Sequence, residues 1–83
     1  MTEGNYISLK RKNYRGSDPK MRLRVSKYNE DTAMLEAHIN QKIQNSETRR
    51  FIYAEIAHET GLKLKRVRDI LFQINCGTNG FSI

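Results

Sequence analysis

Leu35, Ile39 and Ile43 recur every four residues, with Met34 and His38 beside them and polar residues between. A stripe of this kind lies along one face of an α-helix, which turns once in about 3.6 residues. Asn29, Asp31 and Thr32 precede the stripe and supply capping oxygens, and acids crowd the first turn, at the positive end of a helix dipole. A first amphipathic helix is therefore expected over about 31–45, ended by Asn45 and Ser46. The pattern then resets. YAEIAHET, residues 53–60, gives two helical turns with Ile56, Ala57 and Thr60 inward. Gly61 follows where a helix needs a left-handed residue to turn away. Leu64, Val67, Leu71 and Ile74 fall next at i, i+3, i+7 and i+10, with Ile70 beside them, which predicts a helix over about 63–75.

Between and after the helices the pattern favours short strands. RRFIY, residues 49–53, holds three β-favouring residues in a row and is too short for a helix. The tail CGTNGFSI contains Asn79-Gly80, the favoured pair of a two-residue hairpin turn, and then alternates Phe81, Ser82, Ile83. A last strand there is expected to pair with 51–53. MRLRV, residues 21–25, alternates apolar and basic side chains and reads as a short strand or as an extended arm. Residues 1–20 contain Gly4, Gly16 and Pro19 with little periodicity, and no ordered core is expected from them. The chain thus divides into a basic, flexible or partly extended segment, 1–28, and a folded unit, 29–83.

Size narrows the function. Eighty-three residues make one small domain with a thin core, unsuited to a large buried active site. The absence of an 18-residue apolar run argues against a membrane span, and the polar start MTEGNYISLKRK against a secretory signal, so a cytoplasmic protein is expected. His38 and His58 have no further ligand at metal spacing, and both read as ordinary helix residues. Cys76 is the only cysteine and reads as a small buried residue near the end of the last helix. No phosphate-binding glycine loop and no nucleophile with its base is evident, so neither a cofactor nor an enzyme is expected.

The net charge of +6 is unevenly placed. Residues 1–28 hold eight Lys/Arg against two acids, residues 29–62 three against six, and residues 63–83 four against one. Two basic blocks flank an acidic middle. A polyanion is the natural partner of such blocks, and solubility is the plain alternative.

Two helices that cross closely need a small residue at the contact, a residue without Cβ in the turn, and a branched apolar residue to lock the second helix onto the first. Ala57, Gly61 and Val67 meet these needs, with Ile56, Leu62 and Ile70 filling the space around them. This set resembles the helix-turn-helix of bacterial and phage regulators, and residues 31–83 as a whole resemble a winged-helix domain. The resemblance implies a mainly α fold, a three-helix helix-turn-helix core with a minimal β-sheet, whose third helix enters the DNA major groove. Where that family places a capping Ser or Thr this chain has KLKR, and only three residues follow Gly80 to make a wing. On this basis Lys63, Lys65, Arg66 and Arg68 are the expected phosphate and base contacts, with Gln73 suited to adenine. Asp69 accepts from cytosine or pairs with Lys65 or Arg66, and Phe72 on the same face suits a thymine methyl, a partner chain or the N-terminal segment. Lys10, Arg11, Lys12 and Arg15, interleaved with Tyr6 and Tyr14, form a basic arm for the adjacent backbone.

The expected activity is therefore duplex DNA binding by a small transcriptional regulator, with dimerisation or a protein partner enlarging a small footprint. A winged-helix protein-interaction module is one alternative. RNA or single-strand binding through the Tyr-containing arm is another.

Overall fold

The computed structural model describes residues 6–45, 50–74, 77 and 79–82. After an extended segment come α1 (Pro19–Gln44), β1 (Arg50–Ile52), α2 (Tyr53–Thr60), α3 (Leu64–Leu71) and β2 (Gly80–Ser82). Among the described residues the protein is mainly α, with one two-stranded antiparallel sheet. No described helix is long and apolar enough to cross a membrane.

α1 is 26 residues long and starts well before the expected boundary at about 31. Its start is chemically marked: Asp18 Oδ1 accepts from the Lys20 N–H at 3.0 Å, and Pro19 occupies the first helical position, where no N–H is needed. MRLRV is therefore helical and not a strand or extended arm. Its alternation misleads because residues 19–27 overhang the core. All are exposed except the half-buried Val25, so no packing surface imposes a helical period on them. Burial begins at Tyr28 and continues through Asp31, Thr32, Leu35, Ile39 and Ile43, one continuous face. The buried Thr32 hydroxyl is satisfied by donating to the Tyr28 carbonyl at 2.8 Å.

The sheet joins the two ends of the remaining chain. Arg50 pairs with Ser82, Phe51 with Phe81 and Ile52 with Gly80. The rings of Phe51 and Phe81 stack at 5.2 Å, and both are buried. The tail thus pairs with the RRFIY stretch as expected, but over 50–52 and not 51–53, because Tyr53 already starts α2. The Asn79-Gly80 pair departs from the expected hairpin turn: Gly80 already belongs to β2, and the Asn79 carbonyl accepts from the Tyr53 N–H at 2.8 Å. Glycine serves a different need there, since a Cβ on Gly80 would collide with the Phe51 carbonyl of the facing strand.

α2 ends as anticipated. Gly61 has φ of 78°, and its N–H donates to the Ala57 carbonyl at 2.9 Å. A side chain in that conformation costs about 1 kcal/mol. α3 follows three residues later and stops at Leu71, short of the expected 75, with a tightened last turn in which Ile74 N–H donates to the Leu71 carbonyl at 3.1 Å. Cys76 lies outside the described residues, as does Ile83.

The stretch before α1 is extended, and it is attached to the fold. Leu9 is 3% exposed and belongs to the core with Tyr28, Leu35, Phe51, Tyr53, Ile56, Val67 and Ile70. Three side chains of α1 bind its backbone. Asn40 accepts from the Ile7 N–H at 2.8 Å and donates to the Ile7 carbonyl at 3.0 Å. Glu36 accepts from the Leu9 N–H at 2.7 Å. Asn29 accepts from the Lys12 N–H at 2.8 Å and donates to its carbonyl at 3.0 Å. The spacings match: an extended chain from 7 to 12 and a helix from 29 to 40 both span about 16 Å, at roughly 3.3 and 1.5 Å per residue. The Lys10 N–H adds a bond to Gln73 Oε1 at 2.7 Å, beyond the end of α3. No ordered core is expected from residues 1–20, yet Leu9 joins the core of the fold. Periodicity missed it because one inward side chain makes no stripe.

Leu9→Ala is accordingly expected to destabilise the whole fold by about 2–3 kcal/mol. Leu23→Ala, on the exposed overhang, is expected to stay within about 0.5 kcal/mol of wild type. Urea denaturation followed by circular dichroism distinguishes them, and equal midpoints for the two variants would contradict the docking of the segment.

Candidate nucleic-acid interface

α3 is amphipathic over two turns. Val67, Ile70 and Leu71 are fully buried and fasten its inner side. Half-buried Leu62 packs against the same core, whereas Leu64 keeps 39% of its surface exposed. Lys65, Arg68, Asp69 and Phe72 face solvent, Phe72 with 54% of its surface exposed. Lys63 stands at the N-cap with extended backbone and no capping bond from its side chain, which leaves its ammonium outside the helix. A shallow hollow of about 290 Å³ lies among Lys63, Lys65, Arg66 and Asp69.

Arg66 behaves differently from its neighbours. Its Nε is 3.2 Å from Oδ2 of Asp31 on α1, so it turns away from Asp69. Asp31 is 2% exposed, and its other oxygen lies 3.3 Å from Lys27 Nζ without hydrogen-bond alignment. The Arg66 guanidinium also lies 5.5 Å from the ring centre of Tyr28, whose ring is approached by Lys12 Nζ at 4.1 Å. A buried carboxylate needs such partners, because ionisation without them is costly in a dry site. Asp31 thus couples the start of α3 to the middle of α1.

The nine expected contact residues fall into two groups. Lys63, Lys65, Arg68, Lys10 and Arg15 are exposed, and their side chains make no described internal bond. Arg11, Lys12, Arg66 and Gln73 are engaged inside the protein. Arg11 forks onto Glu36 at 3.1 and 3.3 Å. Gln73 accepts from Lys10 and donates to the Ile70 carbonyl at 3.0 Å, which occupies the amide that suited adenine. Tyr14 is likewise engaged, its hydroxyl accepting from the Asp18 N–H at 3.1 Å.

Two carboxylates are held below their ordinary range. Glu36 is lowered by the Arg11 hydrogen bond first and by the Leu9 N–H second. Glu59 is lowered by Lys42 first and by His38 second, the imidazole nitrogen standing 2.8 Å from its Oε1. His38 and Glu59 thereby tie α1 to α2. Among the described residues no group of His, Cys, Asp or Glu is placed to hold a metal ion.

Sequence reasoning missed Tyr28, Asp31, Glu36 and the Lys20, Arg24, Lys27 series. The Asp18-Pro19 pair was the available signal, since it starts the helix that brings the three cations onto one face. No family model, no characterised protein and no solved structure matches the chain.

Because Glu36 has a lowered value in the fold, its contribution is complete above the ordinary carboxylate range and disappears as pH falls through the lowered value. Glu36→Gln keeps an acceptor for the Leu9 N–H and loses the Arg11 ion pair. Its stability is expected to approach that of wild type as pH falls from neutrality into the acid range, measured by urea midpoints across pH. A constant gap between the two proteins would contradict an ionised Glu36 as the anchor.

Proposed function

We propose that this chain binds duplex DNA as a helix-turn-helix protein of short winged-helix outline, with α3 as the reading helix and a regulatory role in transcription. The observation that carries the proposal is the two-sided character of α3: Val67, Ile70 and Leu71 anchor one side, and Lys65 and Arg68 project from the other. A helix is about 10–12 Å across with its side chains and so fits the major groove, which is roughly 12 Å wide. Lys63, at the start of α3, is suited to phosphate, and Lys65 and Arg68 to guanine edges. Gly61 turns α2 away and leaves the start of α3 accessible. The net charge of +6 favours approach to a polyanion.

Phe72 supports a second reading. Its half-exposed ring beside Asp69 is unusual on a surface meant for phosphates and suits a protein contact. The arm is a weaker candidate for single strands, because Arg11, Lys12 and Tyr14 are occupied internally.

Fluorescence anisotropy of the protein with a labelled duplex tests the proposal. Binding is expected to weaken steeply with salt. Lys65→Ala/Arg68→Ala is expected to lose at least tenfold in affinity, about 1.4 kcal/mol, with an unchanged fold by circular dichroism. Absence of duplex binding at about 50 mM salt would overturn DNA binding and turn attention to the Phe72 surface.

A further inference from the structure

The overhang of α1, residues 19–27, departs from what helix stability favours. It carries Lys20, Arg22, Arg24 and Lys27 and no acid. Cations at a helix start oppose the helix dipole, and Lys20 and Arg24 repel each other at i and i+4. Burial offers no compensation, since the overhang is exposed apart from Val25. A segment that keeps positive charge at the expense of its own stability is most simply explained by a ligand for that charge.

The positions are ordered. Lys20, Arg24 and Lys27 stand at i, i+4 and i+7 and so share one face of the helix over about 10 Å. Asp31 continues the same line one turn later, and it is the residue that binds Arg66 of α3. Lys27 also reaches Asp31, while its side chain remains 58% exposed. The line of cations on α1 therefore runs up to Asp31, which binds Arg66 near the start of α3, and Arg66 shares a hollow with Lys63 and Lys65. Arg22 faces elsewhere and donates to the Gly16 carbonyl at 3.3 Å.

Resting on the DNA-binding function proposed above, we infer that Lys20, Arg24 and Lys27 form a second contact, a phosphate track that follows the duplex backbone beside the groove entered by α3. The division of labour is physical. α3 carries donors on a rigid face for base edges, and the overhang carries long, mobile cations suited to sequence-independent phosphate contacts. The track also adds to the arm, where Arg11 and Lys12 are engaged by Glu36 and Tyr28 and Lys10 and Arg15 stay exposed.

The test compares Lys20→Gln/Arg24→Gln with wild type and with Arg22→Gln, using anisotropy on labelled duplexes of differing sequence from about 50 to 300 mM salt. The double variant is expected to bind every duplex more weakly, with the same order of sequence preference. Its plot of log affinity against log salt should be shallower by about 1.8, at roughly 0.9 for each phosphate that is no longer neutralised. Its thermal midpoint should equal or exceed that of wild type, since the removed charges opposed the helix, so loss of fold is not the cause. Arg22→Gln should leave the slope unchanged. A wild-type slope in the double variant, or an equal fall in Arg22→Gln, would overturn the track. Duplex binding that depends on Lys65 and Arg68 and ignores Lys20 and Arg24 would sink the track alone. No duplex binding by wild type would sink the DNA-binding function and the track together.

Discussion

Eight-residue helices and three-residue strands do not hold together in water on their own. α2, α3, β1 and β2 are all of that kind, and each survives by closing on the buried face of α1 or on a neighbour that does so. Tyr28, Thr32, Leu35, Ile39 and Ile43 form that face, and the core residues of every other element gather with them. A chain of this size buries too little surface to tolerate a loose partner. This explains why even the extended stretch before α1 is drawn in, and why Leu9 has the burial of a core residue.

Docking of that stretch has an electrostatic consequence. Asn29, Glu36 and Asn40 satisfy its backbone in the way a neighbouring strand would, and Glu36 and Tyr28 also take the charges of Arg11 and Lys12. Two cations that looked available to a ligand therefore serve the fold. Beside Lys10 and Arg15, the exposed positive charge lies on the N-terminal part of α1 and on α3, where nothing internal competes for Lys20, Arg24, Lys65 or Arg68 among the described residues.

Asp31 holds the geometry at the point where those two surfaces meet. A carboxylate with 2% exposure between Lys27 and Arg66 fixes the start of α3 against α1 more specifically than apolar contacts do. An ion pair of this burial adds little net stability after desolvation, and its value lies in orientation. For a helix proposed to read a groove, orientation is the property that matters.

α2, α3, the Gly61 turn and a pairing of the tail with the FIY stretch were legible, because each rests on local rules: the 3.6-residue stripe, the left-handed glycine and β-branched or aromatic runs. The mainly α class followed from these. The antiparallel direction and the register, Arg50–Ile52 with Gly80–Ser82, were not legible. The length of α1 was not legible from its stripe, since an overhang free of packing carries no period. The role of Leu9 was hidden because a single inward residue has no pattern. The assignment of cations to fold or to solvent was beyond any reading of the chain by itself. Arg66 and Arg68 are two residues apart and chemically identical, yet one is bound to a carboxylate 35 positions earlier and the other is exposed. Only the fold, which sets the start of α3 beside the middle of α1, brings Asp31 within reach, and long-range packing, not local sequence, sets which charges remain for a partner.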